Sequence, residues 1–321
     1  MEALVTELIA CGVDYVHVDC NDDLGVEDAI ARVRAISDLP IDLHIISSEP
    51  EKFYPMIEKH KVDFVTLQHE DLNGRHLDLP DLGCKWGLAI MTQTPNSVFD
   101  DFATQCDFIL FMTTVPGQSG GVFQSANFRK IRKFRRAYPG KTIHVDGGVN
   151  AEISFVLRNL GVYCAVSGSF LVNADSVAAA FLKLLVQKGS NHLFVRDVMA
   201  DLSELPILPL ADLQLEALLK KIESFKMGYC LLVNENGQLA GLVTNADLRR
   251  GLLKHIDDLR AFDAQDLVNT QPKYIGEDVT ISEMLSRVKR FPFLVQLLPV
   301  VDTQNQLVGA VNFNNLILGE L

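Results

Sequence analysis

The sequence predicts an α/β fold: a (β/α)8-type barrel that lacks its first strand in this chain, followed by a smaller α+β domain pair. Short β-branched runs alternate with longer helical runs up to about residue 185, which is typical of a parallel sheet covered by helices. The chain begins directly with the helical run MEALVTELIACG, so only seven strand runs can be counted. From residue 195 onward, one unit of about 60 residues occurs twice, which indicates pseudo-symmetric packing.

The first region contains seven runs that predict strands: DYVHVDC, IDLHIIS, DFVTLQHE, KWGLAIM, DFILFMTT, TIHVDGGV and YCAVSGSF. Between them, VEDAIARVRAI and ISFVLRNLG carry apolar residues at three- and four-residue spacing, which predicts crossover helices. A closed barrel of this type has eight strands. We therefore expect the edges beside the first and last runs to be unpaired unless another segment covers them.

The alternation ends at VQKGSNHLF, residues 186–194, and a repeat follows. The first copy reads RDVM, LQLEALLKKIESF, CLLVNENGQLAGLVT and NADLRR, and the second reads QDLV, ISEMLSRVKRF, LPVVDTQNQLVGAVN and FNNLI. NENG and TQNQ stand where tight hairpin turns are needed. These patterns predict a barrel domain over 1–187 and two repeats over 195–257 and 263–321.

Composition limits the possible functions. The chain has 321 residues, 48% of them apolar, and a formal charge of −12, which argues against general binding of nucleic acid or anionic lipid. The one basic cluster, RKIRKFRR at 129–136, is interpreted as a solvated helix face. Six cysteines without CxxC pairing predict reduced thiols and a cytoplasmic protein, and no leader or membrane-spanning run is expected.

Two aspartates end apolar runs that are far apart in the chain: Asp19 in VHVDC and Asp146 in IHVDGGVN. In a parallel barrel the chemistry lies at the carboxyl ends of the strands. His17 and Asp19 are two residues apart and should point to the same face of the sheet, and His44 ends the next strand. Two imidazoles and two carboxylates form an N/O set suited to zinc, iron(II) or manganese(II).

Residues 1–185 resemble ribulose-phosphate 3-epimerase and its relatives, a phosphate-binding TIM (β/α)8 family. The shared motifs are HVD at 17–19, DLH at 42–44, MTTVPGQSGG at 112–121, VDGGV at 145–149 and SGS at 167–169. The resemblance implies that His17, Asp19, His44 and Asp146 bind a divalent metal ion and that Asp19 and Asp146 are the two catalytic bases. It further implies inversion at C3 of a ketose phosphate through an enediolate, with one aspartate removing and the other returning a proton.

Substrate binding is expected from glycine-rich turns. Gly147, Gly148, Gly168 and Ser169 can offer backbone N–H groups to a phosphate, and the PGQSGG segment resembles the lid of the family. The sequence departs from the family at Asn21, Ile46 and Gln68, where two methionines and a histidine are usual. The complete set of expected substrate contacts is Met112, Gly117, Gly120, Gly121, Gly147, Gly148, Gly168 and Ser169.

Residues 195–321 resemble a tandem pair of cystathionine-β-synthase-type (CBS) domains, similar to those fused to sugar-phosphate isomerases and sugar nucleotidyltransferases. The resemblance implies that Gly241, Thr244 and Asp247 of the first copy contact the ribose of an adenine nucleotide or nucleotide sugar. The equivalent positions of the second copy are Asn312 and Asn315, so one good site is expected. Thr244 and Asp247 also fit a helix capping box, which is compatible with ligand binding.

Together these observations predict a metal-dependent C3 epimerase of a ketose phosphate, regulated by a nucleotide-type ligand at the CBS pair. A homodimer or larger assembly is expected. The alternative is a catalytically inactive barrel that serves as a sensor or oligomerisation module. A different ketose phosphate from ribulose 5-phosphate also remains open as the substrate.

Overall fold

The computed structural model describes residues 2–75, 78–114, 120–186, 192–258, 262–292 and 295–313. These residues divide into two compact units, 2–186 and 192–313. Each unit is built around its own set of strands.

The first unit contains a seven-stranded, all-parallel sheet whose strands follow one another in chain order. Each strand coincides with one of the predicted runs, so the expected α/β barrel with seven strands is confirmed. The strands are β1 (Val16–Cys20), β2 (Ile41–Ile45), β3 (Phe64–Gln68), β4 (Lys85–Met91), β5 (Phe108–Met112), β6 (Thr142–Asp146) and β7 (Cys164–Val166).

Helices alternate with these strands. They are α1 (Glu2–Cys11), α2 (Val26–Ile36), α3 (Tyr54–His60), α4 (Ala126–Ala137), α5 (Ala151–Asn159), α6 (Ser169–Val172) and α7 (Val177–Val186). On α4, the side chains of Phe128, Ile131 and Phe134 are buried, whereas the basic residues of 129–136 are exposed or half-buried. The basic cluster is therefore the outer face of an amphipathic helix, as the sequence predicts.

The barrel has one open side. β1 and β7 are the two ends of the strand order, and no ladder joins them within the part of the chain that the structure describes. The phenol groups of Tyr15 and Tyr163 are hydrogen-bonded at 2.8 Å, each from the residue just before one of these strands. Helix α1 lies against α7 on the outside. The unpaired edges are thus short and partly covered, which limits their exposure as templates for other strands.

The strand register decides which side chains meet inside the barrel. On β2, Ile41, Leu43 and Ile45 alternate with Asp42 and His44, and all five residues are buried. Because successive side chains point to opposite faces, the apolar set packs under the helices and the polar pair points inward. In the ladder with β1, His17 is the partner of Asp42 and Asp19 is the partner of His44. The sequence thereby places two polar layers inside the barrel, one above the other.

The second unit contains two copies of one motif, as the repeat predicts. Its elements are α8 (Val195–Val198), β8 (Ala200–Asp201), β9 (Ile207–Pro209), α9 (Leu215–Phe225), β10 (Tyr229–Val233), β11 (Leu239–Thr244), α10 (Asn245–Lys254), β12 (Ile275–Gly276), α11 (Ile281–Val288), β13 (Leu297–Val301) and β14 (Leu307–Asn312). The hairpins β10–β11 and β13–β14 have the same pairing and a register shift at the same point, Leu232/Val233 in one and Val300/Val301 in the other.

The two copies exchange segments. β8, near the start of the first copy, pairs with β14 of the second. In return, Asn269, near the start of the second copy, pairs with Leu242 on β11 of the first. Each sheet therefore takes its outermost strand or bridge from the beginning of the other copy.

The thiols and helices agree with the sequence in two further respects. All six cysteines are free, and Cys20, Cys106 and Cys230 are buried. In the described ranges, no helix combines the length and apolar character needed to span a bilayer.

Candidate active site

Three of the four predicted metal ligands lie together at the carboxyl ends of β1 and β2. His17, Asp19 and His44 each offer one ligand atom, and these atoms are within 4.8 Å of one another. Asp19 Oδ1 is 3.4 Å from His17 Nε2 and 3.2 Å from His44 Nδ1. The carboxylate of Asp19 thus stands between two imidazoles.

Each imidazole is held by its far nitrogen. His17 Nδ1 is 3.0 Å from Asp42 Oδ2, and His44 Nε2 is 2.8 Å from Gln68 Oε1. Because both acceptors are oxygens, each far nitrogen donates a proton, and the near nitrogen is left as the one that can bind a cation. His17 Nε2 is buried and has no hydrogen-bond partner among the described residues. The donor set and its outer hydrogen bonds therefore fit a divalent metal ion.

Asp42 is a further residue of the candidate site, for which the sequence predicts no role. Its side chain is 1% exposed and contacts His17. Burial opposes its ionisation, but the charge of His17 and the nearby imidazole of His144 outweigh it and hold the pKa of Asp42 well below its usual range. The sequence does contain a signal for an inward position, because Asp42 stands two residues before His44 in DLH and so shares its face of the strand.

Gln68 replaces the histidine that is usual in the family, and its role is visible here. Its carbonyl accepts from His44, while its amide donates to Glu70. Glu70 also accepts from the Thr94 hydroxyl and from the backbone N–H of Met91. This chain of hydrogen bonds fixes the orientation of Gln68, and through it the ring of His44.

The two predicted catalytic bases have opposite electrostatic surroundings. Burial favours the neutral form of Asp19, but the adjacent imidazoles of His17 and His44 outweigh it and hold the pKa of Asp19 well below its usual range. Burial raises the pKa of Asp146, which His17 opposes and the charge of Asp19 reinforces. Asp146 ends β6 and is influenced by all members of the cluster, although it is outside the group of closely spaced ligand atoms.

The loop after β6 has the shape expected of a phosphate cradle. Gly147 and Gly148 have φ angles of +112° and +66°, and a Cβ on Gly148 would stand 2.4 Å from the backbone nitrogen of Phe123. Only glycine fits there. Thr113 fixes the loop, because its hydroxyl donates to the carbonyls of Asp146 (2.9 Å) and Gly147. No described residue accepts a hydrogen bond from the backbone N–H of Gly148 or Gly168.

The remaining predicted substrate residues are distributed as follows. Met112 ends β5 beside Asp146 and is 1% exposed. Gly121 faces Thr114, Gly120 is exposed with a φ of +85°, and Ser169 begins α6 with Gly168 as its N-cap. Gly117 lies outside the described residues, as do 115–119 of the expected lid.

In the second unit, Thr244 and Asp247 form a complete capping box at the start of α10. Asp247 Oδ2 accepts from the Thr244 backbone N–H at 2.8 Å and from its hydroxyl at 2.6 Å. Gly241 is required by packing, since a Cβ there would be 2.5 Å from Val268 Cγ1. Asn312 has the ladder position of Thr244, and Asn315 lies outside the described residues.

A cavity of about 290 Å³ lies beside this cap. Asp247 lines it together with three potentially cationic residues of α10 and its C-cap: Arg250, Lys254 and His255. Its size is near the lower end of small-molecule sites. Asp247 is thus paired within the cap by one oxygen, while its other oxygen accepts from Arg250 at the edge of the cavity.

Comparisons with known proteins agree with both units. A model of the ribulose-phosphate 3 epimerase family matches residues 1–172, and a CBS domain model matches residues 264–318. Ribulose-phosphate 3-epimerase of Bacillus subtilis is 29% identical over 172 residues, covering 49% of this chain and 79% of that protein. The chloroplastic ribulose-5-phosphate-3-epimerase of Arabidopsis thaliana is 28% identical over 192 residues, covering 55% of this chain and 68% of that protein.

A solved structure of CBSX2 in complex with AMP is 21% identical and covers 39% of this chain and 92% of that chain, with a TM-score of 0.33. The predicted CBS pair is confirmed by the duplicated topology of the second unit and by the match of its second copy. Because the epimerase model matches more than half of the residues, the chain belongs to the ribulose-phosphate 3 epimerase family.

Proposed function

We propose that the barrel inverts C3 of a ketose phosphate, ribulose 5-phosphate or a relative, by two-base proton transfer between Asp19 and Asp146. The observation that carries this is the placement of two aspartates at the carboxyl ends of non-adjacent strands, β1 and β6, with His17 and His44 beside one of them. Inversion requires a base on one face of the reacting carbon and an acid on the other.

The proton transfers balance within the pair. One aspartate begins ionised and takes the proton of the C3–H bond, while the other begins protonated and delivers its proton to the opposite face. After one turnover the two carboxyl groups have exchanged states, ready for the reverse reaction. The pKa of Asp19 is lowered and that of Asp146 is raised, so the two carboxyl groups differ in the direction that this scheme requires.

A divalent ion, zinc, iron(II) or manganese(II), would be held by His17, Asp19, His44 and Asp146. When bound, it would supply positive charge to the substrate oxygens as negative charge develops on them. Asp42 and Gln68 orient the two imidazoles toward it. Met112 and the glycine turns shape the surrounding pocket, and the backbone N–H groups of Gly147, Gly148, Gly168 and Ser169 would bind the substrate phosphate.

The CBS pair would bind an adenine nucleotide or a nucleotide sugar at the cavity beside Asp247. Arg250, Lys254 and His255 offer positive or hydrogen-bonding groups for phosphate. Asp247 Oδ1, which accepts one hydrogen bond, from Arg250, has a lone pair left for a ribose hydroxyl. Binding there would regulate the barrel through a coupling free energy of about 1–3 kcal/mol. Isothermal titration of the full chain with AMP, ATP and a nucleotide sugar tests this, with the exchange rate below measured at saturation.

The first experiment measures deuterium incorporation from solvent at C3 of ribulose 5-phosphate, using metal-replete protein. We expect Asp19→Asn and Asp146→Asn each to lower the rate of inversion at C3, measured as deuterium-labelled epimer, by about 10²- to 10⁴-fold. Asp101→Asn changes an exposed carboxylate of the same unit and should leave the rate unchanged. Circular dichroism of all three variants verifies the fold.

Two results would contradict the proposal. Formation of the C3 epimer at an undiminished rate in either site variant would remove the two-base mechanism. Absence of exchange with every ketose phosphate, in protein that has bound its metal ion, would favour the inactive sensor or oligomerisation module instead.

A further inference from the structure

A second group of metal-binding side chains lies inside the barrel, apart from the predicted catalytic cluster. Asp42 of β2, His144 of β6 and Cys164 of β7 each offer one ligand atom, and these atoms lie within 4.8 Å of one another. His144 and Cys164 are ladder partners, as are Asp42 and His17. The group therefore occupies the polar layer below Asp19, His44 and Asp146.

Several polar atoms of this group are unpaired. Asp42 Oδ1 and both ring nitrogens of His144 are buried and have no hydrogen-bond partner among the described residues. His144 is 1% exposed, and its ring stacks on Phe108 with 4.1 Å between centroids. Buried polar side chains are nearly always hydrogen-bonded or bound to a ligand. The unpaired carboxylate oxygen of Asp42 and the unpaired imidazole of His144 therefore indicate a missing partner.

We propose that Asp42, His144 and Cys164 bind a second divalent cation of the zinc type, distinct from the ion of the catalytic cluster. A thiolate, a neutral imidazole and a carboxylate are the common ligands of zinc. Their summed charge of two negatives cancels that of the ion, so the buried site is neutral overall. The catalytic cluster, in contrast, has only nitrogen and oxygen ligands.

The three ligand atoms must move slightly closer together to hold one ion. Zinc binds sulfur at about 2.3 Å and nitrogen at about 2.0–2.1 Å, so ligand atoms around one ion lie roughly 3.5 Å apart. β7 can supply this movement, because it has three residues and a strand partner on one side only. Cys164 is half-buried on this edge strand, which gives the ion a route of entry from the open side of the barrel.

The two ions would be linked through one residue. Asp42 Oδ2 accepts from His17, a ligand of the catalytic cluster, and lies 3.9 Å from His144 Nδ1 of the second site, while Asp42 Oδ1 is buried without a partner among the described residues. An ion bound to this carboxylate would fix its plane and with it the ring of His17. Asp42 then acts as a positioning residue for the upper site, and the lower ion stabilises that position.

Cobalt(II) titration of the full chain, stripped with a chelator beforehand, tests the proposal without substrate. Because only the second site contains sulfur, its occupation should produce a thiolate-to-cobalt charge-transfer band in the near ultraviolet, which nitrogen and oxygen ligands do not give. We expect one equivalent of cobalt to generate this band and a further equivalent to bind without it. Cys164→Ser should abolish the band, and His144→Gln should weaken cobalt binding at this site by tenfold or more.

Two controls separate this result from the epimerase proposal. Cys106→Ser removes another buried thiol of the same unit and should retain the band, as should Asp19→Asn, which alters only the upper cluster. Absence of the band in wild-type protein, or a band that persists in Cys164→Ser, would overturn the proposal. Either result would leave cobalt binding at the upper cluster, and hence the proposed function, still measurable.

Discussion

Polar side chains of the barrel site and of the helix cap in the CBS pair differ in their hydrogen bonding. Around His17, Asp42 and His144, buried nitrogen and oxygen atoms have no hydrogen-bond partner among the described residues. At Thr244 and Asp247, the hydroxyl, the backbone N–H and the carboxylate bond to one another. The fold alone accounts for the cap, because it satisfies the start of α10. It does not account for the unpaired atoms of the barrel cluster, for which we propose a bound cation.

We expect the largest effect on metal binding from a substitution of Asp42. In Asp42→Asn the charged acceptor of His17 Nδ1 is lost, so the imidazole is no longer held in its tautomer and orientation. We expect the affinity of the catalytic cluster for its first metal ion to fall by about 10- to 100-fold. Competition with a chromophoric chelator measures this, with Asp101→Asn as the matched control. An unchanged affinity would show that the unpaired atoms of the cluster are not organised for a cation.

A smaller effect is expected at the cap. Thr244→Val removes the capping hydroxyl with little change in shape, and we expect the free energy of unfolding to fall by about 1 kcal/mol. Thr280 caps α11 by accepting from the backbone N–H of Glu283, so Thr280→Val should cost a similar amount. Urea denaturation measures both.

The two caps should differ in nucleotide binding. Our proposal places the ligand beside Asp247, so Thr244→Val should weaken nucleotide affinity and Thr280→Val should not. Equal affinities in the two variants would mean that Thr244 serves the helix alone. In that case the Thr244 cap would be a purely structural feature, unlike the ligand site that we propose in the barrel.

A further effect is a pH dependence of folding. It tests a polar group of the barrel unit that, unlike the proposed ligand cluster, is paired with protein carbonyls. Lys130, in the barrel unit, donates to the carbonyls of Met91 (2.6 Å) and Thr94 (2.7 Å), and burial lowers the pKa of its ammonium group to about 8. In the unfolded chain the pKa is about 10.4. Between these values the unfolded state binds more protons, so this group makes the free energy of unfolding rise with pH.

Lys130→Met should remove this increase between about pH 8 and pH 10, as measured by urea denaturation at several pH values. Lys133 is exposed on the same helix, and Lys133→Met should retain it. Deuterium exchange at C3 should be unaffected by either change. A pH slope identical in the three proteins would show that the burial of Lys130 does not disfavour its charge.

Local patterns were sufficient for much of the fold. Runs of alternating or β-branched residues marked each strand, and the tandem repeat marked the second unit. His17, Asp19 and His44 were also accessible, because a spacing of two on adjacent strands places side chains on one face. Asp42 shares that spacing, yet its role depends on a bond to His17 from another strand, which no local pattern specifies.

Cys164 shows why other features of the site cannot be predicted from the sequence. It is one of several cysteines in apolar runs, and this pattern predicts only a reduced, buried thiol. Its proximity to Asp42 arises from the register of β6 with β7 and from the curvature that brings β7 back toward β2. The bond between Gln68 and His44 is likewise a long-range contact. Such contacts are set by packing of the whole sheet, and single runs carry no information about them.

The exchange of segments in the CBS pair determines when this unit can be completed during synthesis. β8 leaves the ribosome early, but its partner β14 lies at the far end of the described chain. The first copy must also wait for Asn269 before β11 has its neighbour. The sheet of the first copy therefore cannot be completed until the chain has passed Asn269, and β8 stays without its partner until β14 has been translated.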